Sequence, residues 1–383
     1  MFRQPGFLPY LAKKYLASSP TSDNLFIMNI EQLDYDLPSC LIAQQPAVVR
    51  TDSRLLVLDR SGGLLEHRHF LDLVEYLSSG DCLVINDTKV IPARFFVRRV
   101  TGGRIEGLFL NITDNGTWRV MLKNASRLRS NEIVTLADPH KQYQTIPNQT
   151  FTIIDNPKQG IWLIQPESKD DSFDILNRYG ITPLPPYIKR KVEADSYHTE
   201  QTDRRRYQTV FAHTAGSVAA PTAGLHFTDE LLESLRNCNI EIARITLHVG
   251  LGTFQSITTE KVEEHQMHSE FYQLDESNAA VINNILQRGS RLVAVGTTSI
   301  RTLETLAQSG RVRPGSGWTD LFITPGYRFQ VVNTIITNFH LPRTSLLALV
   351  CAFAGTEQTL TAYSEAVRNE YRFYSYGDAM LIL

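Results

Sequence analysis

Cysteine is scarce in this chain of 383 residues, and neither sign of charge is in excess. The four cysteines lie far apart and form no CxxC pair, which argues against a zinc ribbon or a disulfide scaffold and fits a reducing cytoplasm. Lys plus Arg number 38 and Asp plus Glu number 40, giving a formal net charge of -2. The chain therefore has no global attraction for nucleic acid, and any such contact needs a local basic patch.

Long apolar runs are also missing. No stretch approaches 18 apolar residues without a charged or polar break, and the first 27 residues hold no uninterrupted apolar segment of the signal-peptide type. We therefore expect neither a secretory precursor nor a membrane-spanning protein. A new sequence pattern starts at Met28, so residues 1–27 are predicted to be a poorly ordered N-terminal extension.

What the sequence does contain is an α/β alternation interrupted once. Its length favours two domains or one domain inserted into another. Strand-like and helix-like segments alternate from Arg54 to about residue 92 and again after Ser172. The intervening segment has short alternating runs and no convincing helix: FFVRRV, RIEGLFL, TWRVMLK, EIVTLA, TFTIID and GIWLIQP. Six such runs predict a small antiparallel barrel.

The predicted fold is therefore a layered α/β main domain with an inserted antiparallel β-barrel. Residues 28–92 and 172–383 form the discontinuous α/β domain, and residues 93–171 form the barrel. Ligands of open α/β sheets bind beyond the carboxyl ends of the strands. Three predicted strands run directly into polar loops: ITLHV into GLGTF, RLVAVG into TTSIRTL, and TIITNFH into LPRTSLLAL. The loop GSVAAPTAGLHF is a fourth candidate for the same edge.

The segment Thr297 to Ser299 separates a buried strand from an amphipathic helix. Its hydroxyls and backbone N–H groups could hold a carboxylate or phosphate, or could simply cap the helix. The histidines likewise allow two interpretations. His226, His248, His268 and His340 stand at the edges of apolar segments, where they are either catalytic groups or hydrogen-bonded structural ones. The segment EEHQMHSE also raises metal ligation, although its spacing is not HExxH.

Basic residues concentrate in KRK (Lys189 to Lys191) and RRRYQ (Arg204 to Gln208), with tyrosines nearby. Such runs are either solvated faces or the interleaved cations and rings that hold RNA phosphates and bases.

Long ordered blocks from about Asn29 to Leu383 resemble one known family. They include LPSCLIAQQP, INDTKVIPAR, LPPYI, RRRYQTVFA, SVAAPTAGLHFT, TLHVGLGTFQ, MHSEFY, VGTTSIRTLE, NTIITNFHLPRTSLLALVCAFAG and YRFYSYGDAMLI. The family is the S-adenosylmethionine:tRNA ribosyltransferase-isomerases of queuosine biosynthesis.

The resemblance implies a transferase that moves the ribosyl part of S-adenosylmethionine onto 7-aminomethyl-7-deazaguanine at the tRNA wobble position. Adenine and methionine leave, and epoxyqueuosine-tRNA remains. S-adenosylmethionine is then a co-substrate, with no cofactor and no metal, and the expected enzyme is a cytoplasmic monomer whose partner is tRNA. Two alternatives stay open at this point, a metal-dependent hydrolase and a non-catalytic RNA-binding protein.

The reaction implied by the resemblance needs acid–base groups, since a base must take a proton from the carbon beside the sulfonium. The predicted catalytic set is His226, His248, His268 and Glu270, with His226 or His248 as the base and Glu270 orienting His268. The predicted substrate-binding set is Pro221, Thr222, Gly224, Phe227, Gly250, Gly252, Thr253, Phe254, Thr297, Thr298, Ser299, Arg301, Tyr327, Asn338, His340 and Asp378. The predicted tRNA-binding set is Lys89, Arg94, Lys189, Arg190, Lys191, Arg204, Arg205, Arg206 and Tyr207.

Overall fold

An open mixed sheet and a closed barrel organise the chain. This computed structural model describes residues 28–158, 160–190, 196–250, 252 and 256–383. In those ranges the strands are β1 (Arg54–Asp59), β2 (Leu64–His69), β3 (Cys82–Asn86), β4 (Thr88–Val90), β5 (Arg94–Arg99), β6 (Arg104–Ile112), β7 (Trp118–Lys123), β8 (Ile133–Asp138), β9 (Gln144–Lys158), β10 (Ile161–Pro166), β11 (Thr214–Ser217), β12 (Glu241–Leu247), β13 (Glu270–Leu274), β14 (Leu292–Val295), β15 (Ala307–Gln308), β16 (Arg311–Val312), β17 (Gly315–Thr319), β18 (Thr334–Asn338) and β19 (Ala379–Ile382).

The helices in the same ranges are α1 (Leu73–Tyr76), α2 (Ser172–Tyr179), α3 (Ser196–Arg206), α4 (Asp229–Asn237), α5 (Glu276–Arg288), α6 (Gly296–Leu306), α7 (Ser345–Ala354) and α8 (Thr356–Arg368). Short 3-10 turns occur at Ile30–Leu33, Ser39–Leu41, Arg50–Asp52, Phe70–Asp72, Thr222–His226 and Val262–Glu264. No single helix of the described chain is long and apolar enough to cross a membrane, and α7 with α8 passes that test only as a pair bent by 114°.

The sheet has the strand order β17-β13-β12-β3-β14-β18-β19-β1-β2. Its centre is parallel, since β12, β3, β14 and β18 all run the same way. Strands β3, β14 and β18 are buried along their whole length, as expected where a sheet is covered on both sides. On β14, Leu292 and Ala294 face the core under α5 to α8, whereas Val293 and Val295 face the core under α1 and α4.

Strand β19 holds the two parts of the sheet together. It pairs antiparallel with β18 and parallel with β1, so Ala379 lies opposite both Asn338 and Leu55. The β1–β2 hairpin therefore reaches the rest of the sheet only through β19.

The barrel closes in the order β10-β7-β6-β5-β8-β9, and every pairing in it is antiparallel. Aromatic rings fill its core: Trp118 lies 5.0 Å from Phe109 and 4.9 Å from Phe151 between ring centroids. These six strands coincide with the six runs read from the sequence, and the predicted fold class is confirmed. Helix α2 packs Ile175 and Leu176 onto this barrel core, although the predicted boundaries place it in the other domain. Those boundaries stay a prediction.

Candidate functional site

The carboxyl ends of the central parallel strands lead into the residues that form the site. Strand β14 ends at Val295 and α6 starts at once, β18 ends at Asn338, and β12 ends next to His248. The 3-10 turn Thr222–His226 lies against both β18 and α6. Because the carboxyl ends of parallel strands share one edge of the sheet, four loops that are distant in sequence lie close together.

A small cavity lies where these loops meet, and we call it the central hollow. Its volume is about 30 Å³, room for one small polar group. Its lining includes Pro221, Thr222, Thr297, Thr298, Asn338 and His340, all members of the predicted substrate-binding set. The hollow also borders Val249, the residue that follows His248.

Two buried polar atoms on this lining have no hydrogen-bond partner, the Thr298 hydroxyl and the Asn338 side-chain oxygen. Both side chains are almost fully buried. A buried polar atom without a partner costs on the order of 1–3 kcal/mol, so such atoms mark places where a ligand can bind. Helix α6 adds its N-terminus, where no side chain caps the free N–H groups. Together these groups offer donors and one acceptor to an incoming molecule.

His226 is held at both ring nitrogens. Its Nδ1 lies 2.9 Å from the Ser53 hydroxyl, and its Nε2 lies 3.0 Å from the Asn338 Nδ2 group. The amide can only donate, so Nε2 accepts and Nδ1 carries the proton. Burial, reinforced by the cations of Arg50 and Arg372, lowers the pKa of His226 to about 3. This imidazole is therefore neutral at physiological pH and fixes the amide of Asn338.

His340 is neutral for the same reason, because burial lowers its pKa to about 3. Its Nε2 lies 2.9 Å from the Thr337 hydroxyl. Its backbone is bound as well, since the N–H donates to the Tyr363 hydroxyl and the carbonyl accepts from Tyr35. His340 thus contributes shape and a neutral dipole to the central hollow.

His248 differs from these two in being half-buried. Its Nδ1 lies 2.8 Å from the Thr88 hydroxyl, and its ring stacks on Phe271 at 5.5 Å between centroids. Burial lowers its pKa, while the carboxylate of Asp87 acts in the opposite direction. The other nitrogen, Nε2, approaches Gly216 so closely that a Cβ there would lie 2.6 Å away. Only glycine at position 216 leaves room for this ring.

Glu270 and Arg301, members of the predicted catalytic and substrate-binding sets, form a buried ion pair. Glu270 accepts from Arg301 and from the backbone N–H of Gly250, the latter at 2.7 Å. Arg301 also donates to the carbonyls of Thr319 and Leu321. The guanidinium is engaged within the fold, so a substrate carboxylate at this turn would meet the start of α6 and not Arg301.

His268 is exposed and lies over Gly252, where an added Cβ would be 2.1 Å from its ring. This close approach explains the glycine at position 252 and joins two segments of the predicted set. Among the described residues no three His, Cys, Asp or Glu side chains are grouped so as to hold a metal ion, and the metal-hydrolase alternative gains no support.

Several predicted substrate-binding side chains lie elsewhere. Phe227 is in the apolar core against Phe70, and Gly224 is buried against Phe211. The hydroxyl of Ser299 donates to the carbonyl of Val295 at 2.8 Å.

Two charged or aromatic candidates have partners distant in sequence. Tyr327 donates to Glu304 at 3.1 Å, two turns along α6 from the hollow. The Asp378 carboxylate accepts from Arg54 and from the backbone N–H of Arg372. Neither residue is among those that line the central hollow. Thr253 and Phe254, which were predicted for the same role, lie outside the described residues.

A second, larger cavity of about 690 Å³ opens beside β4, and we call it the basic groove. Among the described residues, four cations line it, Arg50, Lys89, Arg204 and Arg205, and no carboxylate does. Three of these were in the predicted tRNA-binding set. Arg50 was missed, because a single arginine in AVVRTDSR carries no pattern that distinguishes it.

The other predicted RNA-binding residues are only partly available. Arg190 pairs with Asp203 at 2.7 Å, and Arg94 pairs with Glu106 at 2.7 Å. Arg206 donates to the carbonyls of Ala47 and Val48, and Tyr207 is fully buried. Lys189 is exposed, and Lys191 lies outside the described residues.

The family described as queuosine biosynthesis protein matches residues 30–382. A relative from Moorella thermoacetica is 50% identical over 361 residues, and one from Acetivibrio thermocellus is 47% identical over 357. Each alignment covers 93% of this chain and all of the relative, and both relatives are named S-adenosylmethionine:tRNA ribosyltransferase-isomerase.

A solved structure is also similar, the S-adenosylmethionine tRNA ribosyltransferase of Thermotoga maritima. It is 34% identical, with a TM-score of 0.51, and the match covers 92% of this chain and all of that one.

The neutral histidines predict an acid-sensitive fold. Between pH 6.5 and about 3 the unfolded chain binds protons that folded His226 and His340 do not bind, so the free energy of unfolding decreases as the pH is lowered. Each histidine contributes a slope of up to about 1.4 kcal/mol per pH unit. In urea unfolding at pH 6, 5 and 4, His340→Gln should show a shallower pH dependence by about that amount. The half-exposed His67→Gln is the control, and equal slopes for His340→Gln and wild type would contradict the assignment.

Proposed function

The chain belongs to the family of queuosine biosynthesis proteins, and we propose that it is a transferase of the S-adenosylmethionine:tRNA ribosyltransferase-isomerase type. It transfers and isomerises the ribosyl moiety of S-adenosylmethionine onto 7-aminomethyl-7-deazaguanine at the tRNA wobble position. The products are epoxyqueuosine-tRNA, adenine and methionine. The observation that carries the proposal beyond family likeness is the meeting of Thr298, Asn338 and His340 in one hollow that is also lined by Val249, the residue after His248.

S-adenosylmethionine binds with its amino-acid end in the central hollow. The hollow has room for a small polar group only, so the nucleoside lies outside it, along the turn from His248 to Gly250. The carboxylate meets the Thr298 hydroxyl and the start of α6, where backbone donors and the helix dipole favour an anion. The ammonium donates to the side-chain oxygen of Asn338, an acceptor that no other described group uses.

His248 is the general base. The sulfonium makes the protons on the 5′ carbon of the ribose acidic. A base that removes one of them starts the loss of adenine, which proceeds by opening of the ribose ring. When Nδ1 donates to Thr88, Nε2 keeps a lone pair for that proton. His226 is a much weaker base, since its pKa is about 3, and both of its nitrogens already have partners. We assign His226 the positioning of Asn338.

The remaining steps use the departing groups. His268 is the candidate for protonating the leaving adenine, because it is exposed beside the glycine turn. The neutral aminomethyl group of the tRNA base then attacks the ribose 1′ carbon. Closure of the epoxide expels methionine. The reaction uses no cofactor besides the co-substrate, and we expect a monomer acting in the cytoplasm.

The tRNA binds along the basic groove. Lys89 is exposed on β4, and its neighbour Thr88 contacts His248. A tRNA sugar–phosphate backbone bound in the groove therefore leads towards this catalytic histidine. Arg205 supplies a further charge for phosphates. Arg204 pairs with Glu200, and Arg50 donates to backbone carbonyls, so both line the groove with guanidinium groups that already have partners. A single base that leaves the loop can then reach the ribose.

Thr298 tests the site for the amino-acid end. Thr298→Val should raise the KM for S-adenosylmethionine about tenfold, because it removes one hydrogen bond to a charged group, while kcat changes less. Thr302→Val is the matched control, since Thr302 is one turn further along α6 and bonds the carbonyl of Thr298 instead of lining the hollow. Equal KM values for the two variants would refute this placement.

His248 tests the chemistry. His248→Asn keeps a polar atom near Thr88 but removes the base, and adenine release from the saturated complex should slow by about 10² to 10⁴. In the wild type the rate should fall as the pH drops through the lowered pKa of His248. The control is His67→Asn, because His67 lies on the edge strand β2, at the end of the sheet opposite β17. This variant should react at the wild-type rate. A fully active His248→Asn enzyme would remove this histidine from the mechanism.

Arg205 tests the groove, because its side chain is exposed. Arg205→Glu should weaken tRNA binding and reduce the slope of log affinity against log salt by about one unit. The exposed Lys123→Glu on the barrel, outside the groove, should leave both unchanged. Unaltered tRNA affinity and slope in Arg205→Glu would show that the RNA follows another path.

A further inference from the structure

The sheet has an open face at its β17 edge. On β12 the side chains of Arg244, Thr246 and His248 alternate onto this face, while Ala243, Ile245 and Leu247 enter the core on the other. Phe271 and Gln273 on β13 follow the same alternation. No described helix fills this part of the face as α4 fills it further along the sheet.

Trp318 stands at the outer edge of this face with 59% of its surface exposed. The chain's other tryptophans, Trp118 and Trp162, are buried in the barrel. Trp318 lies directly opposite Phe271 in the β13–β17 pairing. The exposed indole therefore offers a flat surface beside a second ring, the kind of surface on which a nucleobase can stack.

The ring of Trp318 is the first of an unbroken aromatic series. Its centroid is 5.9 Å from that of Phe271, which in turn is 5.5 Å from His248 and nearly parallel to it, at 26°. The series, which we call the aromatic platform, consists of His248, Phe271 and Trp318. It leads from the sheet edge to the histidine that the mechanism uses as a base.

A polar recess of about 350 Å³, a volume within the range of small-molecule pockets, is lined by Thr246 and Gln273, which precede His248 and follow Phe271 on the same face of β12 and β13. Its lining includes Asp87, His213, Arg244, Thr246, Gln273 and Asn278. The Thr246 hydroxyl donates to Asp87 at 2.6 Å. Donors and acceptors therefore flank the rings, a combination that suits the edge and face of a nucleobase. The centre of an interface between protein copies would be depleted of such charged groups.

We propose that the aromatic platform binds unpaired nucleotides of the tRNA anticodon loop next to the modified one, with a base stacked on Trp318. The inference rests on the proposed function, since it needs an RNA substrate. Removing the target base from the loop separates its neighbours, and unstacked RNA bases bind to aromatic side chains. On β4, Lys89 lines the basic groove and Thr88 contacts His248 of the platform, so one loop can contact both.

The experiment compares Trp318→Ala, Trp318→Phe and Leu64→Ala. Leu64 is the matched control, because it is 58% exposed on β2, the opposite edge strand of the same sheet. The probe is an anticodon stem-loop RNA with 7-aminomethyl-7-deazaguanine at the wobble position. Trp318→Ala should weaken its binding roughly 5- to 150-fold, the range for one lost base–aromatic stack. Trp318→Phe should recover most of the affinity, and Leu64→Ala should bind as the wild type.

Tryptophan fluorescence gives a second measurement on the unaltered protein. The exposed Trp318 should account for most of the quenching by acrylamide, and saturating stem-loop RNA should protect it. If the RNA neither protects Trp318 nor binds more weakly to Trp318→Ala, the inference is wrong. It is also wrong if Trp318→Ala converts a sedimenting dimer into a monomer without changing RNA affinity, since the face would then join two copies.

Adenine release separates this inference from the proposed function. Wild type and Leu64→Ala should both release adenine from S-adenosylmethionine with the modified stem-loop. If they do and Trp318→Ala binds the stem-loop as tightly as they do, only the inference about the platform is wrong. If neither releases adenine, the proposed function itself is wrong.

Discussion

The buried ion pair between Glu270 and Arg301 is the interaction on which the site depends. It joins β13 to α6, and through Gly250 it also fixes the turn that carries His248. The guanidinium reaches further, to the carbonyls of Thr319 and Leu321 at the end of β17. Loss of either partner would leave an unpaired charge in the core, which costs about 3–5 kcal/mol. Helix start, glycine turn and edge strand are therefore held as one unit.

The site separates polarity from charge. His226 and His340 stay neutral inside the fold, so the central hollow acts through dipoles, a helix start and two unpartnered oxygens. The formal positive charge lies outside it, along the basic groove. A substrate carrying a carboxylate, an ammonium and a sulfonium is better bound by such balanced groups than by one strong charge, because each of its ends needs a different partner. A polyanion needs the opposite, a row of cations.

The sequence was informative where function follows from local position. Thr297, Thr298 and Asn338 could be grouped in advance because each follows a buried strand, and strand ends of a parallel sheet share an edge. It was uninformative where a side chain takes a partner distant in sequence. Asp378 looks like a free carboxylate until the fold pairs it with Arg54, and Tyr207 looks like a stacking ring until the fold buries it. Pairing and burial are tertiary properties, so neither composition nor periodicity encodes them locally.

The position of β19 has a consequence for how the protein is made. Strand β1 leaves the ribosome early, yet its link to the parallel strands is a segment translated after nearly all of the described chain. Until β19 is synthesised, the β1–β2 hairpin has an unpaired edge at β1. Such long-range pairing slows folding and favours aggregation in the interval. Pairing of β19 between β18 and β1 completes the sheet that supports Asn338.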